Sequence, residues 1–180
     1  MKDLETKVSL FGKHPSSSEY LYIGENSELI NSLAKWVEKG YESLLQRREY
    51  LKEDVHHFCF LNKNDDSFVC GTIKPSRDSR NRRYPLVVAV EVSPYSSFGD
   101  SNRFREYLKY VNKQILKIFE KGCTLEELKK EVKKLSVCKN IFDNKKDIFS
   151  AMFMSKDFLQ TEMFFRPLEI DDFVNIMRGA

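Results

Sequence analysis

The sequence predicts an α/β chain of the α+β kind: a single-domain, three-layer α/β/α sandwich around a mixed, largely antiparallel sheet of about five strands. Three observations lead there. Two strand-like runs, Val55–Leu61 and Phe68–Ile73, flank the polar stretch "NKNDDS", which reads as a hairpin turn. Leu86–Val92 is nearly all apolar, the pattern of a strand covered on both faces. The helical stripes come after strand one and after strand four rather than alternating with every strand, which disfavours a purely parallel sheet.

The elements follow in order. Lys7–Phe11 reads as the opening strand, and "GKHPSSSEY" as a loop punctuated by Gly12 and Pro15. A helix is predicted over Ser27–Arg48 with Asn26 as its N-cap, because Leu29, Leu33, Trp36, Val37, Gly40 and Leu44 recur at helical spacing. Pro75 and Pro94 are expected to end the second hairpin strand and the apolar strand. Phe104, Tyr107, Leu108, Val111, Ile115, Ile118 and Phe119 stripe a further helix, with Gly122 placed as its C-terminal cap. Thr124 and Glu127 form a capping box that opens the next helix, whose face "EELKKEVKK" is solvated. Ile148–Met154 and Thr161–Phe165 read as strands, and Asp171–Met177 as a closing helix.

Composition narrows the function. The chain has 180 residues, 41% of them apolar, with fourteen Phe and eight Tyr, enough to bury a core. A net charge of +3 argues against nucleic-acid affinity of the protein as a whole. The four cysteines, Cys59, Cys70, Cys123 and Cys138, form no C-x-x-C pair, and the first ten residues carry no apolar leader, so a cytoplasmic protein with reduced thiols is expected. No apolar run is long enough to insert in a membrane.

No catalytic constellation is visible, and the expectation is a protein that is not an enzyme and binds neither cofactor nor metal. His56 and His57, adjacent in a strand, point to opposite faces and cannot share one ion. "FGKHPSSS" lacks the upstream glycine of a phosphate-binding loop and has His14 where Ser or Thr would hold magnesium. Cys59 and Cys70 sit in strands, where buried thiols are inert. Trp36, on the apolar stripe of the long helix, reads first as core.

One stretch stands out: "GTIKPSRDSRNRRYPLVV", Gly71–Val88, with Arg77, Arg80, Arg82 and Arg83 around Asp78. A guanidinium fork fits a carboxylate, so an Asp78–Arg82 pair can brace the loop. Such a pair either does no more than shape an exposed crossover, or presents the remaining arginines to a partner's carboxylates or phosphates. A nucleic-acid or phospholigand binder using residues 76–83 is the alternative function. It lacks a stacking platform beyond Tyr84.

These residues resemble the TagF family, accessory proteins of bacterial type VI secretion. That family reads roughly G-x-x-x-P-S-x-D-x-x-G-R-x-x-P-L, and Gly71, Pro75, Ser76, Asp78, Arg82, Pro85 and Leu86 fall in register. Asn81 replaces the glycine and tolerates a left-handed backbone. "LFGKHPSSSEYL" is similar to the family's opening through Gly12, Lys13 and Pro15; Ser17, Ser18, Glu19 and Tyr20 depart from it. Trp36 and Gly40 resemble its W-x-x-x-G helix, and "FFRPLEIDDFVNIMRG" its closing strand, turn and helix, with Arg166 and Pro167 departing. The resemblance implies an α/β/α fold and a post-translational repressor of type VI secretion. It would act in the cytoplasm, at the base of the inner-membrane apparatus, by binding the forkhead-associated scaffold Fha. Some relatives carry a fused PppA-type phosphatase domain; residues 1–180 read as one TagF-like domain without it. Gly12, Lys13, Pro15, Trp36, Ser76, Asp78, Arg82, Arg83 and Pro85 are the candidate partner-binding or motif residues.

Overall fold

The structure is a computed structural model and describes residues 5–49, 51, 53–62, 66–94, 101–120, 124–135, 151–155, 161–164, 166 and 168–178. In chain order the elements are β1 (Glu5–Gly12), β2 (Leu21–Gly24), α1 (Glu28–Gln46), β3 (His56–Asn62), β4 (Ser67–Arg77) and β5 (Arg83–Ser93). Then come α2 (Ser101–Glu120), α3 (Leu125–Lys134), β6 (Ala151–Ser155), β7 (Thr161–Phe164) and α4 (Ile170–Arg178). One sheet of seven strands runs β2-β1-β5-β4-β3-β6-β7. All six neighbouring pairs are antiparallel, so the sheet is not mixed.

The expected count of about five strands was low, and β2 is the strand the sequence hid. Its four residues are too few for a period-two pattern, and Tyr22 on it is exposed because it lies at the sheet edge. Consequently α1 follows the second strand, not the first, and α2 and α3 follow the fifth.

Period-two alternation splits the core into two layers. Leu86, Val88, Val90 and Val92 of β5 face α2 and α3, meeting Leu108, Val111, Ile115 and Leu128. Val87 and Ala89 face the other way, toward Ile30, Val37 and Leu44 of α1 and Phe173 and Met177 of α4. Every one of these side chains is buried, and each large one contributes roughly 1.5–3 kcal/mol on leaving water. The expected α/β/α layering is therefore the observed one.

Local chemistry explains the helix starts. The N-cap of α1 is Ser27 rather than Asn26: the Ser27 hydroxyl accepts the Ile30 N–H at 3.1 Å while its carbonyl accepts the Asn31 N–H. The capping box of α3 forms as expected, with Thr124 and Glu127 bonded reciprocally and Lys133 and Lys134 in the last turn. Gly122, Cys123, Cys138, residues 148–150, Phe165 and Pro167 lie outside the described residues.

The W-x-x-x-G spacing of α1 has a packing cause. Trp36 meets the Phe173 ring edge-on at 5.1 Å, and one turn later a Cβ on Gly40 would come within 2.2 Å of that ring. Gly40 thus makes the space in which α4 seats its largest side chain. Cys59 and Cys70 face each other across β3 and β4, fully buried. Burial pushes both thiols up, as expected for inert cysteines. His57, on the same layer, bonds the Thr72 hydroxyl at 2.9 Å, and Thr72 in turn donates to Asn112 of α2.

Candidate functional site

The arginine-rich stretch is the end of a long hairpin, not a crossover loop. Strand β4 does not stop at Pro75; β4 and β5 stay paired through Pro75–Pro85, Ser76–Tyr84 and Arg77–Arg83. Two prolines can sit opposite one another where neither N–H would point into the shared ladder. Because Asp78 N–H donates to the Arg82 carbonyl at 3.1 Å, alternation makes Pro75–Pro85 such a pair. The turn closes with Asn81 N–H donating to the Asp78 carbonyl at 2.9 Å, and Asn81 takes φ +61°, the left-handed geometry expected of it.

Asp78 organises this turn. Its side chain is inaccessible to solvent. Oδ1 accepts the N–H groups of Arg80 at 3.0 Å and Arg82 at 2.8 Å. Oδ2 accepts Arg82 Nε at 2.7 Å and lies 3.3 Å from Lys13 Nζ. Burial alone would raise the carboxyl pKa. The Arg82 backbone N–H and guanidinium, the Lys13 ammonium and the Arg80 N–H outweigh it and hold the pKa at about 2.

Lys13 brings a second segment, residues 13–19, into the same assembly. Gly12 ends β1 with φ +121°, and a Cβ there would sit 2.0 Å from the Pro85 carbonyl oxygen, so only glycine lets the 13–19 segment turn against β5. Ser79 N–H then donates to the Ser17 carbonyl at 2.9 Å, and Arg82 Nη2 donates to the Ser18 carbonyl. Within the segment, Ser16 and Ser17 N–H groups bond His14 Nδ1 and the His14 carbonyl. The result is a clasp between two loops far apart in sequence.

Three tyrosines back the clasp. Tyr84 packs edge-on against Tyr20 at 5.4 Å and Tyr41 at 5.0 Å. The Tyr41 hydroxyl donates to the Arg83 carbonyl at 2.8 Å, tying α1 to the hairpin base. Burial raises the Tyr20 pKa to about 12 and pushes Tyr84 and Tyr41 up as well, so all three stay neutral.

The structure therefore gathers Gly12, Lys13, Asp78, Arg82, Arg83 and Pro85, with Pro15 exposed on the joined segment. Arg77, Arg80 and Arg83 project as exposed residues around the turn. Ser76 lies within β4, and among the described residues no bond of its hydroxyl closes the turn. Trp36 is not at the clasp. It is half-buried among Phe60, Phe153 and Phe173 and donates its indole N–H to the Glu169 carbonyl at 3.0 Å. Sequence reading missed the tyrosine trio, because Tyr20, Tyr41 and Tyr84 come from three elements.

Beside the clasp, on the α2–α3 side, an open groove of about 590 Å³ runs between Lys74–Arg77, the 14–16 segment and the start of α3. Among the described residues no group of His, Cys, Asp and Glu is placed to hold a metal ion, and no helix is long and apolar enough to cross a membrane.

The profile of the TagF N-terminal domain, type VI secretion system-associated, matches residues 9–135. The crystal structure of PA0076 from Pseudomonas aeruginosa PAO1 superposes with a TM-score of 0.65 at 15% identity, covering 94% of this chain and 93% of that one. At that identity the likeness is one of fold. No curated protein matches the chain.

Proposed function

Because the chain belongs to the TagF N-terminal family of type VI secretion system-associated domains, we propose that it is a non-enzymatic regulator that represses secretion by binding a protein of the apparatus. The Fha scaffold is the partner in this reading, and binding takes place in the cytoplasm, at the base of the machine. One observation carries the reading. Asp78 consumes Arg82 and Lys13 internally, while Arg77, Arg80 and Arg83 stand exposed on a turn braced from beneath. A rigid, preorganised turn presents guanidinium groups at low entropic cost, the arrangement suited to a partner's carboxylates or phosphorylated side chains.

The experiment is calorimetric titration of purified Fha scaffold with wild type and with Arg80→Ala plus Arg83→Ala, alongside secretion measured in cells carrying each form. The reading expects saturable binding by wild type, a loss of roughly tenfold or more in the double variant, and derepressed secretion. Equal binding by both forms, with both folded, removes the turn as the contact. Absence of binding together with unchanged secretion removes the regulator reading.

A further inference from the structure

We propose that the groove beside the clasp is a docking site for a short, extended acidic peptide segment of a protein partner. This rests on the protein-binding reading above and assigns it a second surface, which meets the turn at Arg77.

The groove is built by alternation in β4. Lys74 and Ser76 point to the α2–α3 side, and Arg77 closes the end. His14 and Ser16 form the opposite rim. No carboxylate is among the described residues that line it. Asp78, the carboxylate nearest in sequence, is already bound by Arg82 and Lys13 and cannot neutralise the rim. Lys74 and Arg77 have no acidic partner among the described residues; Lys74 rests over the Phe119 ring at 5.4 Å and Arg77 donates to Asn81. The rim charge is thus positive and uncompensated, while the floor of Leu86, Ile118 and Leu128 is apolar.

Two features select the occupant. The Lys74 ammonium covers the Phe119 ring, which lines the groove, so a nucleobase finds no open stacking face there. An apolar floor under a cationic rim matches a peptide that alternates acidic and apolar side chains better than a bare phosphate.

The test is fluorescence anisotropy with the full chain and a labelled peptide of alternating Glu and Leu, beside the same peptide with Gln for Glu. Saturable binding of the Glu peptide is expected, weakened roughly tenfold by Gln and by Lys74→Gln with Arg77→Gln, and falling with added salt. Melting curves verify that the double variant is folded; Lys74→Gln alone serves if it is not. Peptide binding indifferent to these changes, or tighter binding of a single-stranded oligonucleotide or inorganic phosphate, overturns the proposal. The titration contains no secretion component. Failure here with repression intact removes the groove and leaves the regulator, and peptide binding without repression does the reverse.

Discussion

Arg82 Nε lies 2.7 Å from Oδ2 of Asp78, and the same guanidinium donates through Nη2 to the Ser18 carbonyl, sixty-four residues away in sequence. One side chain therefore closes a turn and joins two loops.

The acid response of Asp78 follows from its partners. Its folded pKa is depressed from 3.8 to about 2, so the ionised form adds stability at pH values above about 4 that is lost as pH falls toward 2. Asp78→Asn should lower Tm at neutral pH, and its deficit against wild type should shrink as pH drops through that window. Melting curves at matched ionic strength measure it. A deficit constant down to pH 2 would mean that the carboxylate charge is not what the site uses.

Arg82→Lys keeps the charge but cannot reach Asp78 and Ser18 together, since a lysine lacks the planar fork. Both Arg82→Lys and Arg82→Ala should release the 13–19 segment while leaving the sheet intact. Hydrogen exchange reads this at one amide: Ser79 N–H, bonded to the Ser17 carbonyl, should exchange faster in both variants, with Val88 and Val90 unchanged.

Gly12→Ala puts a Cβ against the Pro85 carbonyl at a positive φ of +121°. Backbone strain of this kind costs about 1–3 kcal/mol, and overpacking adds to it. Urea unfolding should show that loss, with partner binding failing in step with Lys13's displacement from Asp78.

Gly40→Ala tests the seat of α4. The added methyl meets Phe173 side-chain carbons at 2.2–2.6 Å, so a cost of about 1–3 kcal/mol is expected. Trp36 is the single tryptophan and touches the same ring, so its emission should shift red as Phe173 is displaced. Pairing the change with Phe173→Leu should recover part of the loss.

Much of the architecture was legible because it is written in local period. The apolar run of β5, the stripes of α1 and α2, the capping box at Thr124 and the left-handed Asn81 each depend on neighbours within a few residues, and the sequence by itself determined them. Asp78–Arg82, spaced four apart across a turn, belongs to the same class. What the sequence could not carry is pairing between distant segments. Strand β2 is too short to declare itself, and β4 runs on past Pro75 because Pro85 lies opposite at a position that needs no N–H. The clasp of Lys13, Ser17 and Ser18 on the hairpin, the tyrosine trio and the cationic groove under Lys74 exist only because β1 lies beside β5. No periodicity in a single segment encodes which strand will be its neighbour; that choice is made by the burial of both faces of the sheet at once, and only the tertiary structure decided it.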